Sequence, residues 1–262
     1  MFSLIDFPSL LLDEIIIFNE NSSPFFILIS PFHIIAQENP NPERYYFSKD
    51  GRELFIEQFI DWDKKNSFSK GGILFVGSSS IRLWPTSHYF KGNIINRGFG
   101  GSHLSDIIYY FEHIVEKYAP KTILLYAGDN DIADNKSPEQ VLDDFIEFRT
   151  LVNDKIAHCA LVFIPIKPSP SRWKYWPKMK MTNDLIKLYV RDYDNLYYLD
   201  TATPMIGENG RPIPDLFVSD SLHLSTKGYD LWSSVANSFL DSTSAEDNSL
   251  KINLEYIKNM FK

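Results

Sequence analysis

Short, nearly unbroken apolar runs alternate with longer amphipathic stretches through the middle of the chain. The runs are Ile73–Val76, Ile94–Ile95, Thr122–Tyr126, Ala160–Ile166 and Leu196–Leu199. A strand with water on one side alternates apolar and polar residues. These runs do not, so they predict strands covered on both faces. The amphipathic stretches near 53–65, 103–117, 139–156, 180–192 and 226–240 predict helices. Ser137, Pro138 and Glu139 mark one helix start: a capping hydroxyl, a proline where its missing N–H costs nothing, and an acid at the positive end. Alternating strand and helix implies an α/β class fold with right-handed crossovers: a three-layer α/β/α sandwich with a five-stranded parallel sheet. In such sheets ligands bind beyond the carboxyl ends of the strands. The segments that follow each strand are therefore where chemistry is expected.

That pattern occupies 51–240. Residues 1–50 lack it and predict an irregular extension, with Asn39-Pro40-Asn41-Pro42 as a turn or linker. Within it, 24–36 are apolar and precede a polar stretch, as in the core and cleavage site of an export signal. The flank differs from such a signal: no Lys or Arg precedes Arg44, six acidic residues do, and Pro31 interrupts the run. The run is too short for a membrane span, so no transmembrane anchor is expected. Localisation is divided between export and the cytoplasm. Residues 241–262 begin with the polar stretch Asp241–Ser249, which predicts a linker. They end in a short amphipathic helix with Leu250, Leu254, Ile257 and Phe261 on one side.

Composition narrows the function classes. The chain has 262 residues, 44% of them hydrophobic, which is enough for a sizeable core. A net charge of −8 argues against nucleic acid or an anionic membrane surface as partner, since both demand a basic face. The single cysteine, Cys159, excludes an internal disulfide. It stands between His158 and an apolar run, which predicts a buried cysteine at a strand start rather than a thiol nucleophile.

Four post-strand segments carry candidate chemistry. Gly77-Ser78-Ser79-Ser80 closes the first run and opens a helix, where a serine presents its side chain and an unpaired N–H at the sheet edge. That suits a nucleophile, and equally a serine-rich cap. Asn96-Arg97-Gly98-Phe99-Gly100-Gly101 suits a ligand-facing N–H or a tight turn; His103 at the third glycine position weakens a dinucleotide fingerprint. Gly128-Asp129-Asn130-Asp131 offers an amide donor at Asn130 or an Asx turn. Its acids, with Asp134, do not have the spacing of a calcium loop, and no metal site is expected. Asp220-Ser221-Leu222-His223 places an acid one turn from an imidazole, where it can fix the tautomer and leave the other nitrogen as a base. The other five histidines have no acid partner at such spacing in a loop.

Taken together, in order and each after a strand, these segments resemble the four blocks of the SGNH, or GDSL-type, hydrolases. The nucleophile block Gly-Asp-Ser corresponds to Gly77-Ser78-Ser79, with Ser78 in place of the aspartate. Gly101 matches the second block, Gly128-Asp129-Asn130-Asp131 the third, and Asp220 with His223 the fourth. The stretches Phe75–Trp84, Asn96–Gly101 and Ile166–Arg172 resemble a bacterial branch of lysophospholipase-like esterases. Ser225 stands where relatives carry asparagine.

The resemblance implies a flavodoxin-like SGNH fold and a serine esterase. Ser79 would attack the carbonyl, His223 would take its proton, and Asp220 would orient His223. The oxyanion would be held by the N–H groups of Ser79 and Gly101 and by the Asn130 side chain. It implies no cofactor and no metal. The substrate would be a small-molecule, glycan or lipid ester. A carbohydrate O-acetylesterase or an acyltransferase would use the same triad, and a carbohydrate-binding relative without chemistry is the contrasting class. Trp84, Lys167, Arg172, Trp173, Tyr175 and Trp176 are candidates to line a pocket, or else parts of a lid or core edge. Oligomeric state is open.

Overall fold

The computed structural model describes residues 38–45 and 55–260, the side chains of 244–260 excepted. Five parallel strands form one sheet: β1 (Ile73–Gly77), β2 (Ile94–Gly98), β3 (Thr122–Tyr126), β4 (Ala160–Phe163) and β5 (Leu196–Tyr198), in the order β2-β1-β3-β4-β5. The α/β/α sandwich expected from the apolar runs is therefore present.

The runs of β1, β3 and β4 are unbroken because these strands face a core on both sides, whereas the edge strand β2 carries the half-buried Asn96 and Arg97. Leu74, Val76, Ile123, Leu125, Leu161 and Phe163 point into one core. Helices α1 (Phe55–Lys65), α4 (Leu104–Tyr109), α5 (Phe111–Ile114), α7 (Pro138–Lys155) and α8 (Trp176–Tyr189) complete it, through residues such as Phe59, Ile107, Phe145 and Ile186. The alternate positions Phe75, Leu124, Tyr126 and Val162 point the other way. They meet Ile81 of α2 (Ser79–Arg82), Phe90 just after α3 (Thr86–Tyr89), and Tyr229, Trp232 and Ala236 of α9 (Thr226–Met260). The remaining helix, α6 (Asp129–Ala133), follows β3.

The chain runs from β1 outward to β2 and then returns past β1 to β3. This reversal of direction opens a crevice beyond the carboxyl ends of β1 and β3. The turns carrying Ser79 and Asn130 flank that crevice.

Three local expectations change. The helix expected over 103–117 is interrupted at Tyr110, whose hydroxyl donates to the Pro42 carbonyl at 2.7 Å. The linker expected over Asp241–Ser249 is helical, because α9 runs on to Met260. That stretch lacks proline and glycine, and Ser242 and Thr243 donate their hydroxyls back to carbonyls of the same helix. Pro42–Tyr45, expected in a loose extension, is a 3₁₀ turn packed on the sheet domain. Tyr45 meets Phe99 edge-on at 5.0 Å, and Arg44 pairs with the buried Asp106 at 2.6 Å. Residues 24–36, and the side chains of Leu250, Leu254, Ile257 and Phe261, lie outside the described residues. Among the described residues no helix is long and apolar enough to cross a membrane.

Candidate active site

β1 ends at Gly77 and the chain turns directly into α2, with Ser78 as its cap and Ser79 as its first residue. The Ser78 N–H donates to the Tyr126 carbonyl at 3.1 Å, and the Phe99 N–H donates to the Gly77 carbonyl at 2.9 Å. The Ser79 turn is thereby tied to the ends of β3 and β2. Asn96 of β2 grips the other end of α2, donating to the Ile81 carbonyl at 2.7 Å. Gly98 permits this approach: a Cβ there would lie 2.3 Å from the Arg82 backbone nitrogen.

Ser79 Oγ lies 3.0 Å from His223 Nε2. On the far side of the ring, His223 Nδ1 lies 2.6 Å from Asp220 Oδ2. The other carboxylate oxygen accepts the N–H groups of Leu222 and His223, each at 2.9 Å. One carboxylate thus closes the turn and orients the imidazole. Burial acts to raise the Asp220 pKa, but its bonds to His223 and to the backbone outweigh that and hold it at about 2. Asp220 is therefore charged at neutral pH.

Gly101 has φ of +77°, in the left-handed region that favours glycine. Among the described residues, neither its N–H nor that of Ser79 meets a backbone acceptor. Asn130, on the first turn of α6, donates through Nδ2 to the Ser102 carbonyl at 3.0 Å. Its Oδ1 accepts from Arg172 Nη2 at 3.0 Å. The structure thus brings Ser79, His223 and Asp220 into one hydrogen-bonded chain and joins Asn130 to the Gly101–Ser102 loop.

Sequence reasoning missed the surroundings of Asp129. This buried carboxylate pairs with Lys167 at 2.7 Å and with Arg172, and accepts from the Tyr126 hydroxyl at 3.0 Å. Burial alone would raise its pKa, but the two cations hold it at about 2. The signal in the sequence was the Ile166–Arg172 stretch, whose cations looked like pocket residues. Lys167 lies instead under the site, fully buried.

His103 also has partners that sequence reasoning did not find. The structure places it in a buried position 2.8 Å from Asp134 and 3.7 Å from Asp131. These acids come from a different loop, so local spacing could not reveal the pairing. Asp131 also binds Lys136 at 3.2 Å and accepts the Leu104 N–H at 3.1 Å. The acid cluster after β3 is thus committed to fastening two loops together.

Among the pocket candidates, Trp84 is core: it is buried and its indole N–H donates to Ser233 Oγ at 2.9 Å. Tyr175 and Trp176 pack on Ile132, Val141, Ile166 and Met179. Trp173 remains at a cleft of about 330 Å³ with Pro170, Arg211, Pro212, Pro214 and Ser221. Ser221 lies within the Asp220–His223 turn, so this cleft adjoins the triad. A larger groove of about 850 Å³, between α1 and the segment Trp84–Ser87, contains none of the three triad residues.

Residues 84–231 match the GDSL-like Lipase/Acylhydrolase family. The matched segment contains Gly101, Asn130, Asp220 and His223 and begins shortly after Ser79. No curated protein matches the chain. Solved structures share its fold. A GDSL-like lipase from Bacteroides thetaiotaomicron is 18% identical, with a TM-score of 0.63 over 72% of this chain and 98% of that one. A member of the lipolytic G-D-S-L family from Veillonella parvula is 19% identical, with a TM-score of 0.52 over 64% and 96%. A variant of an acetyl-xylooligosaccharide esterase from Geobacillus is 11% identical, with a TM-score of 0.53 over 65% and 94%.

Proposed function

The chain belongs to the GDSL-like lipase/acylhydrolase family of ester-hydrolysing enzymes, and on that premise we propose that Ser79 is its nucleophile, with His223 as base and Asp220 as orienting acid. The observation that carries the proposal is the continuous hydrogen-bonded path from Ser79 Oγ through the imidazole to the Asp220 carboxylate. Asp220 bonds Nδ1, so that nitrogen carries the proton and Nε2 is left as the base toward Ser79. As Ser79 attacks an ester carbonyl, its proton passes to His223 Nε2, and the imidazolium forms beside a carboxylate that is already charged. The protonated imidazole then hands its proton to the departing alcohol. Water, activated by the same nitrogen, hydrolyses the acyl-enzyme.

The oxyanion would be met by the N–H groups of Ser79 and Gly101 and by the second amide hydrogen of Asn130, the first being taken by Ser102. Donors fixed in place before the reaction cost no reorganisation as charge develops, and losing one raises the barrier by about 3 kcal/mol.

The cleft beside Ser221 favours a compact ester over a long acyl chain. Its wall is formed by Trp173, which stacks on Trp176 with rings 5.8 Å apart and 15° from parallel. With Trp176 against the ring and the Arg211 guanidinium 5.2 Å over its centroid, an aromatic and cationic wall beside Ser221 suits a hydroxyl-rich sugar, so a carbohydrate O-acetylesterase is the second reading.

Both readings share one test. Ser79→Ala is expected to abolish hydrolysis of p-nitrophenyl acetate while melting like the parent, and full activity would overturn the assignment. Rates on acyl chains from acetate to dodecanoate, and on acetylated xylooligosaccharide, then separate the substrates.

A further inference from the structure

We infer that Arg172, braced by Asp129 and Lys167, is a positioning residue that locks and polarises the Asn130 amide. The inference rests on the reading of Asn130 as an oxyanion donor.

A side-chain amide can rotate by half a turn and exchange its oxygen for its nitrogen. In the exchanged orientation Asn130 would aim an acceptor at a forming oxyanion, which is repulsive. Arg172 prevents the exchange, because a guanidinium only donates and so selects Oδ1 at 3.0 Å. The Ser102 carbonyl only accepts and selects Nδ2 at 3.0 Å from the opposite side. Between a pure donor and a pure acceptor the amide has one orientation, with its nitrogen toward the Gly101 loop.

The clamp is itself held. Arg172 Nη1 bonds Asp129 Oδ1. Asp129 Oδ2 takes Lys167 Nζ at 2.7 Å and the Tyr126 hydroxyl at 3.0 Å. Held in this way, the Arg172 guanidinium sets its positive charge against the amide oxygen, which draws electron density from Nδ2 and strengthens it as a donor. The same loop also touches the other half of the site: the Ser171 N–H donates at 3.1 Å to the carbonyl of Ser221, inside the Asp220–His223 turn. The Ile166–Arg172 stretch therefore joins the oxyanion side to the base side.

The test is a double-mutant cycle on p-nitrophenyl acetate, with kcat and KM measured separately. Arg172→Ala is expected to lower kcat by about 10–100-fold with KM within about threefold, since a donor is displaced rather than deleted. Arg172→Lys should recover part of the loss. If Arg172 acts through Asn130, then in an Asn130→Ala background Arg172→Ala should cost less than about threefold more. Unchanged kcat in Arg172→Ala, a rise in KM at constant kcat, or fully independent losses in the cycle would each overturn the inference. Melting temperature and circular dichroism check that each variant folds. Should Arg172→Ala fail that check, Arg172→Gln carries the same cycle, with a donor but no charge. A fully active Ser79→Ala would bring down the underlying reading. An inactive Ser79→Ala beside a normal Arg172→Ala would bring down this inference alone.

Discussion

Asp220 makes three hydrogen bonds at once, one to the imidazole and two to the backbone of its own turn. An asparagine could keep some of the backbone bonds but would offer no charge to an imidazolium. Asp220→Asn is therefore expected to lower kcat by about 10²–10⁴-fold with little change in KM. A folded-state pKa of about 2 lies below the ordinary carboxylate value, so the folded form favours the ionised acid. Its contribution to stability is complete above about pH 4 and is lost as the pH falls toward 2. The Asp220 carboxyl group should accordingly stay ionised from neutral pH down to about pH 4, as its carboxyl carbon resonance or carboxylate infrared band would show. A titration centred near 4 would contradict this. The pairing of Asp220 with His223 was legible because both partners lie in one turn. The partners of His103 and Asp129 were not, since loops from different strands supply them.

At the scale of elements, the apolar runs located the strands of the described residues, because burial on both faces of β1, β3 and β4 leaves little room for polar residues, though the edge strand β2 goes on into Asn96 and Arg97. Helix boundaries were less legible. Nothing in local periodicity says that Tyr110 leaves its helix to reach Pro42, or that a polar stretch continues α9. The seating of α2 on β2 was also hidden, though it bears on the position of Ser79. Gly98 lies against the α2 backbone, and a methyl group there would collide with Arg82 nitrogen and the Ile81 carbonyl carbon, at 2.3 and 2.7 Å. Backbone atoms cannot swing aside as side-chain ends do, so α2 itself would have to move. Gly98→Ala is expected to destabilise the protein by about 1–3 kcal/mol and to lower kcat more than its melting temperature suggests. Thermal melts beside initial rates at low temperature would check this. Normal kcat in a folded Gly98→Ala would show that α2 is not held in place from β2.

Across the whole molecule, the parallel sheet separates two edges. Ser79, Asn130 and the Gly101 loop follow the carboxyl ends of their strands. Cys159 precedes β4, at the amino edge. It is buried and its thiol is pushed up to about 12 by that burial. It is expected to ignore a thiol reagent such as dithiobis-nitrobenzoate at about pH 8, where even an ordinary thiol is only partly ionised, and to react once denaturant unfolds the chain. Rapid labelling of the native protein, with loss of esterase activity, would contradict this. The direction of the sheet was legible from strand-helix alternation, and with it the edge on which the chemistry sits. The strand order was not: the return from β2 past β1 to β3 is a tertiary choice, and it opens the crevice between Ser79 and Asn130.

On the proposed mechanism, the base His223 stands 144 residues after the serine it would serve. The helix that follows it is fastened back onto the nucleophile turn, by Trp84 to Ser233 and by Tyr229 to the Ser80 carbonyl. A ribosome making this chain releases the serine turn and most of the sheet long before His223 emerges. The nascent protein therefore carries an ordinary, unactivated serine through most of its synthesis. It becomes able to form an acyl-enzyme only when α9 docks. Chains cut short by stalled translation or by proteolysis before that helix would be silent, so reactivity toward a serine probe counts finished molecules.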